Sequence, residues 1–166
     1  MTEKSDAAKR EEETLAFWRE KKIFEKSLLK DAPQGEYVFY DGPPFATGTP
    51  HYGHIVASVI KDAVPRYWTM RGYRVPRQWG WDCHGLPIEF KVSQELRKAG
   101  DTASDAVSIR TACDAYARKY IDLQRGQFKR LGVLGDWDNP YLTLDKEYEG
   151  RELSLFADIV EKGFVY

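Results

Sequence analysis

The stretch Tyr37-Val-Phe-Tyr-Asp-Gly-Pro-Pro-Phe-Ala-Thr-Gly-Thr-Pro-His-Tyr-Gly-His54 decides the fold. Its first four residues form a β-branched and aromatic run of the kind found in a buried strand. Residues 41–50 are too rich in glycine and proline for regular structure and read as a loop. A helical pattern begins near His51. Thr49 is its expected N-cap, and Pro50 takes the first helical position, where a missing N–H is harmless. Ile55, Val56, Val59, Ile60, Ala63, Val64 and Tyr67 recur at helical spacing and predict a core helix with a broad apolar face. Pro65 is expected to kink that helix and Gly72 to end it. Residues 74–79 read as a second strand, weakened by Pro76. Strand, helix, strand is the crossover unit of a parallel sheet.

Outward from this unit the pattern is mostly helical. Upstream, Leu15, Phe17, Trp18, Ile23 and Phe24 stand among glutamates and lysines over residues 11–29, the spacing of an amphipathic helix packed on the domain as an arm. Downstream, helices are expected over 88–97, 108–131 and 146–162, with Gly100 and a polar connection between the first two. The fold class implied is α/β, the first half of a doubly wound parallel sheet. Residues 1–30 are assigned to the arm and 31–166 to the first part of a larger, incomplete domain. The last residues turn through Gly163 into an apparent strand that stops at Tyr166, which points to truncation.

Bulk composition narrows the class. The 166 residues are 42% hydrophobic and 31% charged, which suits a globular domain and excludes a disordered chain. Lysine plus arginine number 25 against 26 for aspartate plus glutamate, so the basic excess of a dedicated nucleic-acid module is lacking. No apolar run is long enough for a signal peptide or a membrane span, and a cytoplasmic protein without a membrane partner is expected. Cys83 and Cys113 form no CxxC pair, so neither a zinc knuckle nor a disulfide framework is encoded, and no metal ligand is assigned.

The loop at 41–50 joins a strand's carboxyl end to a helix's amino end, where an open parallel sheet binds ligands and the helix dipole favours an anion. His51 and His54, three apart, sit on one helical face, where both imidazoles can donate to phosphate oxygens. Gly53 lets a flat base lie against the backbone. The set fits a triphosphate nucleotide. The spacing alone better fits two ordinary polar residues in a helical first turn; the proline-glycine loop ahead of them turns the balance toward binding. Asp82 is a carboxylate at the end of the second strand that could also cap the helix that follows. Trp79 and Trp81 are read as core, Cys83 as structural.

His51-Tyr-Gly-His54 resembles the HxGH signature of class I aminoacyl-tRNA synthetases. The likeness extends over Phe39-Tyr-Asp-Gly-Pro-Pro-Phe-Ala-Thr-Gly48, Met70-Arg-Gly-Tyr73, Gly80-Trp-Asp-Cys-His-Gly-Leu-Pro-Ile-Glu89 and Arg130-Leu-Gly-Val-Leu-Gly-Asp-Trp137, nearly the whole chain. Within the family, Cys83-His84 is similar to the isoleucine-specific branch. The valine branch typically reads threonine-aspartate-histidine-alanine-glycine across this block, and the leucine branch usually has alanine-phenylalanine before the glycine.

The resemblance implies a Rossmann-like nucleotidyltransferase fold. It implies ATP as substrate with Mg2+, ATP binding by Thr47, Gly48, His51, Gly53 and His54, and catalysis by His51 and His54. It also implies isoleucine binding by Gly42, Pro43 and Asp82. The partner tRNA(Ile) would be contacted through regions outside this chain, as would the lysine-rich KMSKS-type loop, the editing domain and the anticodon-binding helices. A remnant that binds ATP or a partner without catalysis, valine or leucine specificity, and another nucleotidyltransferase with a similar histidine loop are the competing readings.

Overall fold

The computed structural model describes residues 4–100 and 105–165. Helices α1 (Asp6–Glu20), α2 (Ile23–Leu29) and α3 (Tyr52–Met70) lead to strand β1 (Gln78–Trp81). Helices α4 (Leu86–Lys98) and α5 (Ala106–Arg130), strand β2 (Asp136–Leu142) and helix α6 (Lys146–Glu161) follow. β1 and β2 run parallel as neighbours, so the chain is α/β with a small parallel sheet. Part of the expected polar connection after Gly100 falls at 101–104, outside the described residues. The expected terminal strand is not formed at Phe164 or Val165, and Tyr166 also lies outside them.

The expected first strand is not a regular one. Residues 36–46 run alongside 74–82 but pair only at the two ends, through bridges Glu36–Arg74 and Phe45–Asp82. Pro43 and Pro44 have no N–H to give a ladder, which accounts for part of the gap. At its far end Asp82 N–H donates to Pro44 O at 2.8 Å and Ala46 N–H to Asp82 O at 2.8 Å. The sequence also gave no hint of β2, because Asp138, Asn139 and Pro140 argue against a strand. Its Trp137 nevertheless stacks on Trp79, centroids 5.3 Å apart, and its Tyr141 ring covers Gly80.

The arm is two helices where one was expected. Lys22 takes the left-handed conformation with φ 51 and breaks the run. The turn lets Leu15 and Trp18 of α1 and Phe24 of α2 face the same segment, Gly132 to Trp137. Arg66 of α3 stacks on Trp18 at 4.8 Å, and Arg130 pairs with Glu11 at 3.0 Å.

Beneath the arm, Asp62 is a buried junction. It accepts from Arg66 Nε at 2.6 Å, from Leu134 N–H at 3.1 Å and from Arg77 Nη1 at 3.4 Å. Burial pulls the Arg77 guanidinium down to about 10, and Asp62 opposes that shift. The core proper joins Trp79 and Trp81 to Ile88 and Val92 of α4 and to Tyr116, Ala117, Ile121 and Phe128 of α5. Asp105 starts α5 by accepting from Val107 N–H at 2.8 Å and Ser108 N–H at 2.9 Å.

α3 runs through Pro65 without a break, and Gly72, at φ 92, ends it as expected. Its burial departs from expectation. Ser58, Asp62 and Pro65 are the buried residues, whereas Val56, Val59, Ile60, Val64 and Tyr67 of the apolar face are 42–60% exposed. No residue of α6 is buried, and Leu153, Phe156 and Val160 stand in solvent. Apolar area on this scale favours association. The isolated 166-residue chain is therefore expected to bind an apolar dye such as ANS and to self-associate in sedimentation velocity. A monomer that binds no dye and melts cooperatively would refute this.

Candidate active site

The site begins at the first turn of α3, whose orphan N–H groups must find acceptors. The N-cap is His51, two residues later than the expected Thr49, and its imidazole supplies the capping acceptor. His51 Nδ1 accepts from Gly53 N–H at 3.1 Å, and His54 Nδ1 accepts from His51 N–H at 3.3 Å. The two histidines thus form a reciprocal capping box, their rings 4.1 Å apart. With Nδ1 accepting, a neutral imidazole carries its proton on Nε2. Each ring therefore ties the helix end with one nitrogen and keeps an N–H donor on the other. A Cβ at Gly53 would meet the His51 ring at 2.9 Å, so glycine is required to seat that ring.

His54 titrates below its ordinary 6.5, chiefly through burial, then through the neighbouring His51 and Lys61. Its neutral form, the one able to cap, is favoured in the fold.

Below this helix end lies a cavity of about 150 Å³. Gly42, His51, Gly53 and His54 line it, together with Asp41, Pro44, Lys61, Trp79, Gly80 and Trp81. Sequence reasoning gave Asp41 and Lys61 no role, yet they are the charged pair of the cavity. Lys61 Nζ lies 2.7 Å from Asp41 Oδ1 and also donates to the Gly42 carbonyl. The Asp41 side chain has no exposed surface, and its Oδ2 accepts from Gly80 N–H at 3.2 Å. Tyr141 donates its hydroxyl to Asp41 O at 2.9 Å; burial, reinforced by the Asp41 charge, pushes the phenol well above its usual value and keeps it a donor. The available signal was spacing: Lys61 is two helical turns past His54 and on the same side.

The other expected residues surround the cavity without lining it. Asp82 lies at the carboxyl end of β1, beside Pro44–Ala46. It does not cap α4, whose N-cap is Gly85 without a side-chain bond; its Oδ1 accepts from His84 N–H at 3.4 Å. Thr47 and Gly48 form the far side of the loop, where Thr47 Oγ1 meets Tyr116 OH at 3.0 Å. Trp79 and Trp81 are 4% and 1% exposed, hence core, although each presents an edge to the cavity. Burial raises the Cys83 thiol, which donates to Trp81 O at 3.3 Å. Among the described residues no three His, Cys, Asp or Glu side chains converge to hold a metal, and no helix is long and apolar enough to cross a membrane.

A glycine-proline loop bridged to the end of β1 and a helix opening on two capping histidines make up the arrangement that the HxGH pattern led one to expect. The family model for class I tRNA synthetases (I, L, M and V) matches residues 13–166, and the chain belongs to that family. Within it, the chain is 48% identical over 163 residues to an isoleucine–tRNA ligase of Fervidobacterium pennivorans, covering 98% of this chain and 18% of the relative. An isoleucine–tRNA ligase of Caldicellulosiruptor bescii is 44% identical over the same coverage. The crystal structure of a ternary LeuRS–tRNA–LeuAMS complex from Agrobacterium radiobacter K84 superposes with a TM-score of 0.70 at 26% identity. It is covered over 98% of this chain and 19% of its own. The chain thus spans about a fifth of the length of the proteins it matches.

Two outcomes follow from the geometry. Because the folded-state value of His54 is depressed, its contribution is present above 6.5 and is lost as pH falls through the lower folded value. An NMR titration should place the His54 midpoint below 6.5, with the His51 amide losing protection on acidification. For the buried pair, Lys61→Met should destabilise by about 3–5 kcal/mol, because it leaves a buried carboxylate without its cation. Adding Asp41→Asn should recover part of that loss in a double-mutant cycle; strictly additive effects would show that the pair does not interact.

Proposed function

We propose that the complete protein containing this chain activates isoleucine with ATP and transfers it to tRNA(Ile), acting in the cytoplasm. Residues 1–30 would be an arm and residues 31–166 the first part of the catalytic domain. The observation carrying the reading is the pair of Nε2–H donors that the reciprocal cap leaves at the positive end of α3. Isoleucine is favoured over leucine by the 48% and 44% identities to isoleucine–tRNA ligases, against 26% to the LeuRS.

In this reading Asp82 holds the α-ammonium of isoleucine by a charge-assisted hydrogen bond, with the Gly42–Pro43 backbone lining the same pocket. The free carboxylate oxygen attacks the α-phosphorus of ATP. A new O–P bond forms, the bond to the bridging oxygen breaks, and pyrophosphate leaves with its electron pair. Negative charge shifts onto phosphate oxygens, where the Nε2–H groups of His51 and His54 can meet it without reorganising. Thr47, Gly48 and Gly53 would line the nucleotide. Magnesium would come with the triphosphate and supply positive charge beside its oxygens.

Pyrophosphate exchange by the complete protein, driven in turn by isoleucine, valine and leucine, tests the substrate; a stronger response to valine or leucine would refute it. His54→Ala or His51→Ala should lower kcat by roughly tenfold to a thousandfold with little change in the KM for ATP. His51→Asn retains an acceptor for the cap but loses the distant N–H, so it should be as slow as His51→Ala. Full activity in His51→Asn would reduce His51 to a helix cap.

A further inference from the structure

Gln124 of α5 has no exposed surface, and nothing in the activation chemistry accounts for it. A buried amide is tolerated when its donors and acceptor are satisfied, and here each partner belongs to the site. Gln124 Oε1 accepts from Trp81 Nε1 at 2.9 Å, in the residue directly before Asp82. The two N–H groups of Gln124 Nε2 are shared among three carbonyls of one short stretch: Phe45 O at 3.1 Å, Thr47 O at 3.2 Å and Gly48 O at 3.0 Å. Tyr116, two turns earlier on α5, reinforces the hold through Thr47 Oγ1 at 3.0 Å.

We infer that Gln124 is a positioning residue that presets the nucleotide loop. A trans peptide points its N–H opposite to its C=O. Drawing the Thr47 and Gly48 carbonyls onto Gln124 therefore turns the Gly48 and Thr49 N–H groups away from α5. Successive N–H groups so displayed make a concavity for an anion, and here the ligand class is the phosphates of a nucleoside triphosphate. The same amide anchors the indole before Asp82, so one side chain sets the distance between the nucleotide loop and the amino-acid carboxylate. An apolar residue could fill this volume equally well but could not orient three carbonyls. The inference rests on the ATP site proposed above.

The test uses the complete protein and three readouts: ATP affinity by calorimetry, isoleucine-dependent pyrophosphate exchange, and amide hydrogen exchange of the peptide spanning residues 44–49. Gln124→Met keeps the volume and removes the hydrogen bonds. It should weaken ATP binding roughly tenfold to a hundredfold, the scale of a misplaced binding element. Exchange in the 44–49 peptide should quicken while that of α5 stays slow. A folded Gln124→Met protein with unchanged ATP affinity overturns the proposal.

Gln124→Glu serves if the methionine variant does not fold. Its second carboxylate oxygen faces carbonyls until it takes a proton, which burial promotes. Its ATP affinity relative to wild type should therefore recover as pH falls from about 8 to about 5.5, and a flat ratio overturns the proposal. Wild-type protein that binds ATP but shows no isoleucine-dependent exchange refutes the isoleucine reading alone, and Gln124 is then judged by ATP affinity. Wild-type protein that binds no ATP overturns both.

Discussion

The Asp41 carboxylate lies out of contact with solvent between the Lys61 ammonium and the Gly80 amide, and its own carbonyl takes the Tyr141 hydroxyl. A charge in that position is tolerated only when paired and hydrogen-bonded on every side. Satisfying it brings together four parts of the chain: the loop after residue 40, the middle of α3, β1 and β2. The consequence for the backbone is direct. Gly80 N–H, in the stretch where the 36–46 segment forms no ladder, is met by a side chain, so the loop can leave the sheet without orphaning that donor. The opening under α3 exists because a side chain took over a backbone bond.

The elements legible in the sequence are those fixed by local rules. Helices expected over 88–97, 108–131 and 146–162 are found at Leu86–Lys98, Ala106–Arg130 and Lys146–Glu161, since periodicity and capping residues are short-range signals. What eluded the sequence depends on partners distant along the chain. β2 carries Pro140 and two turn-forming residues, and it is a strand because Trp137 and Tyr141 pack against Trp79 and Gly80. The arm breaks at Lys22 because both halves must reach the turn after α5.

The candidate site divides the same way. His51, Gly53 and His54 stood out because they are contiguous and follow a turn-rich loop. Lys61 follows His54 by two helical turns, a local signal, but Asp41, 20 residues from Lys61, and Gln124, 76 residues from Gly48, could not be joined to them by any pattern along the chain. The apolar face of α3 was correctly located and wrongly assigned, since amphipathicity reveals which side of a helix needs cover but not whether this stretch of chain supplies it.

These arrangements also explain why the nucleotide corner is built from neutral donors. Lys61 is the one cation among the cavity-lining residues, and Asp41 already holds it, so that pair adds little net charge for a triphosphate. What this chain offers an anion is direction: imidazole N–H groups fixed by the cap, the positive end of α3, and loop amides turned outward by Gln124. Pre-aimed donors of this kind suit a transition state, because they need not move as charge develops, but they neutralise little of a triphosphate in the ground state. Under the proposed function, the remaining charge would have to be met by groups other than these. Adenylation would then use this corner to aim at the developing charge rather than to neutralise it.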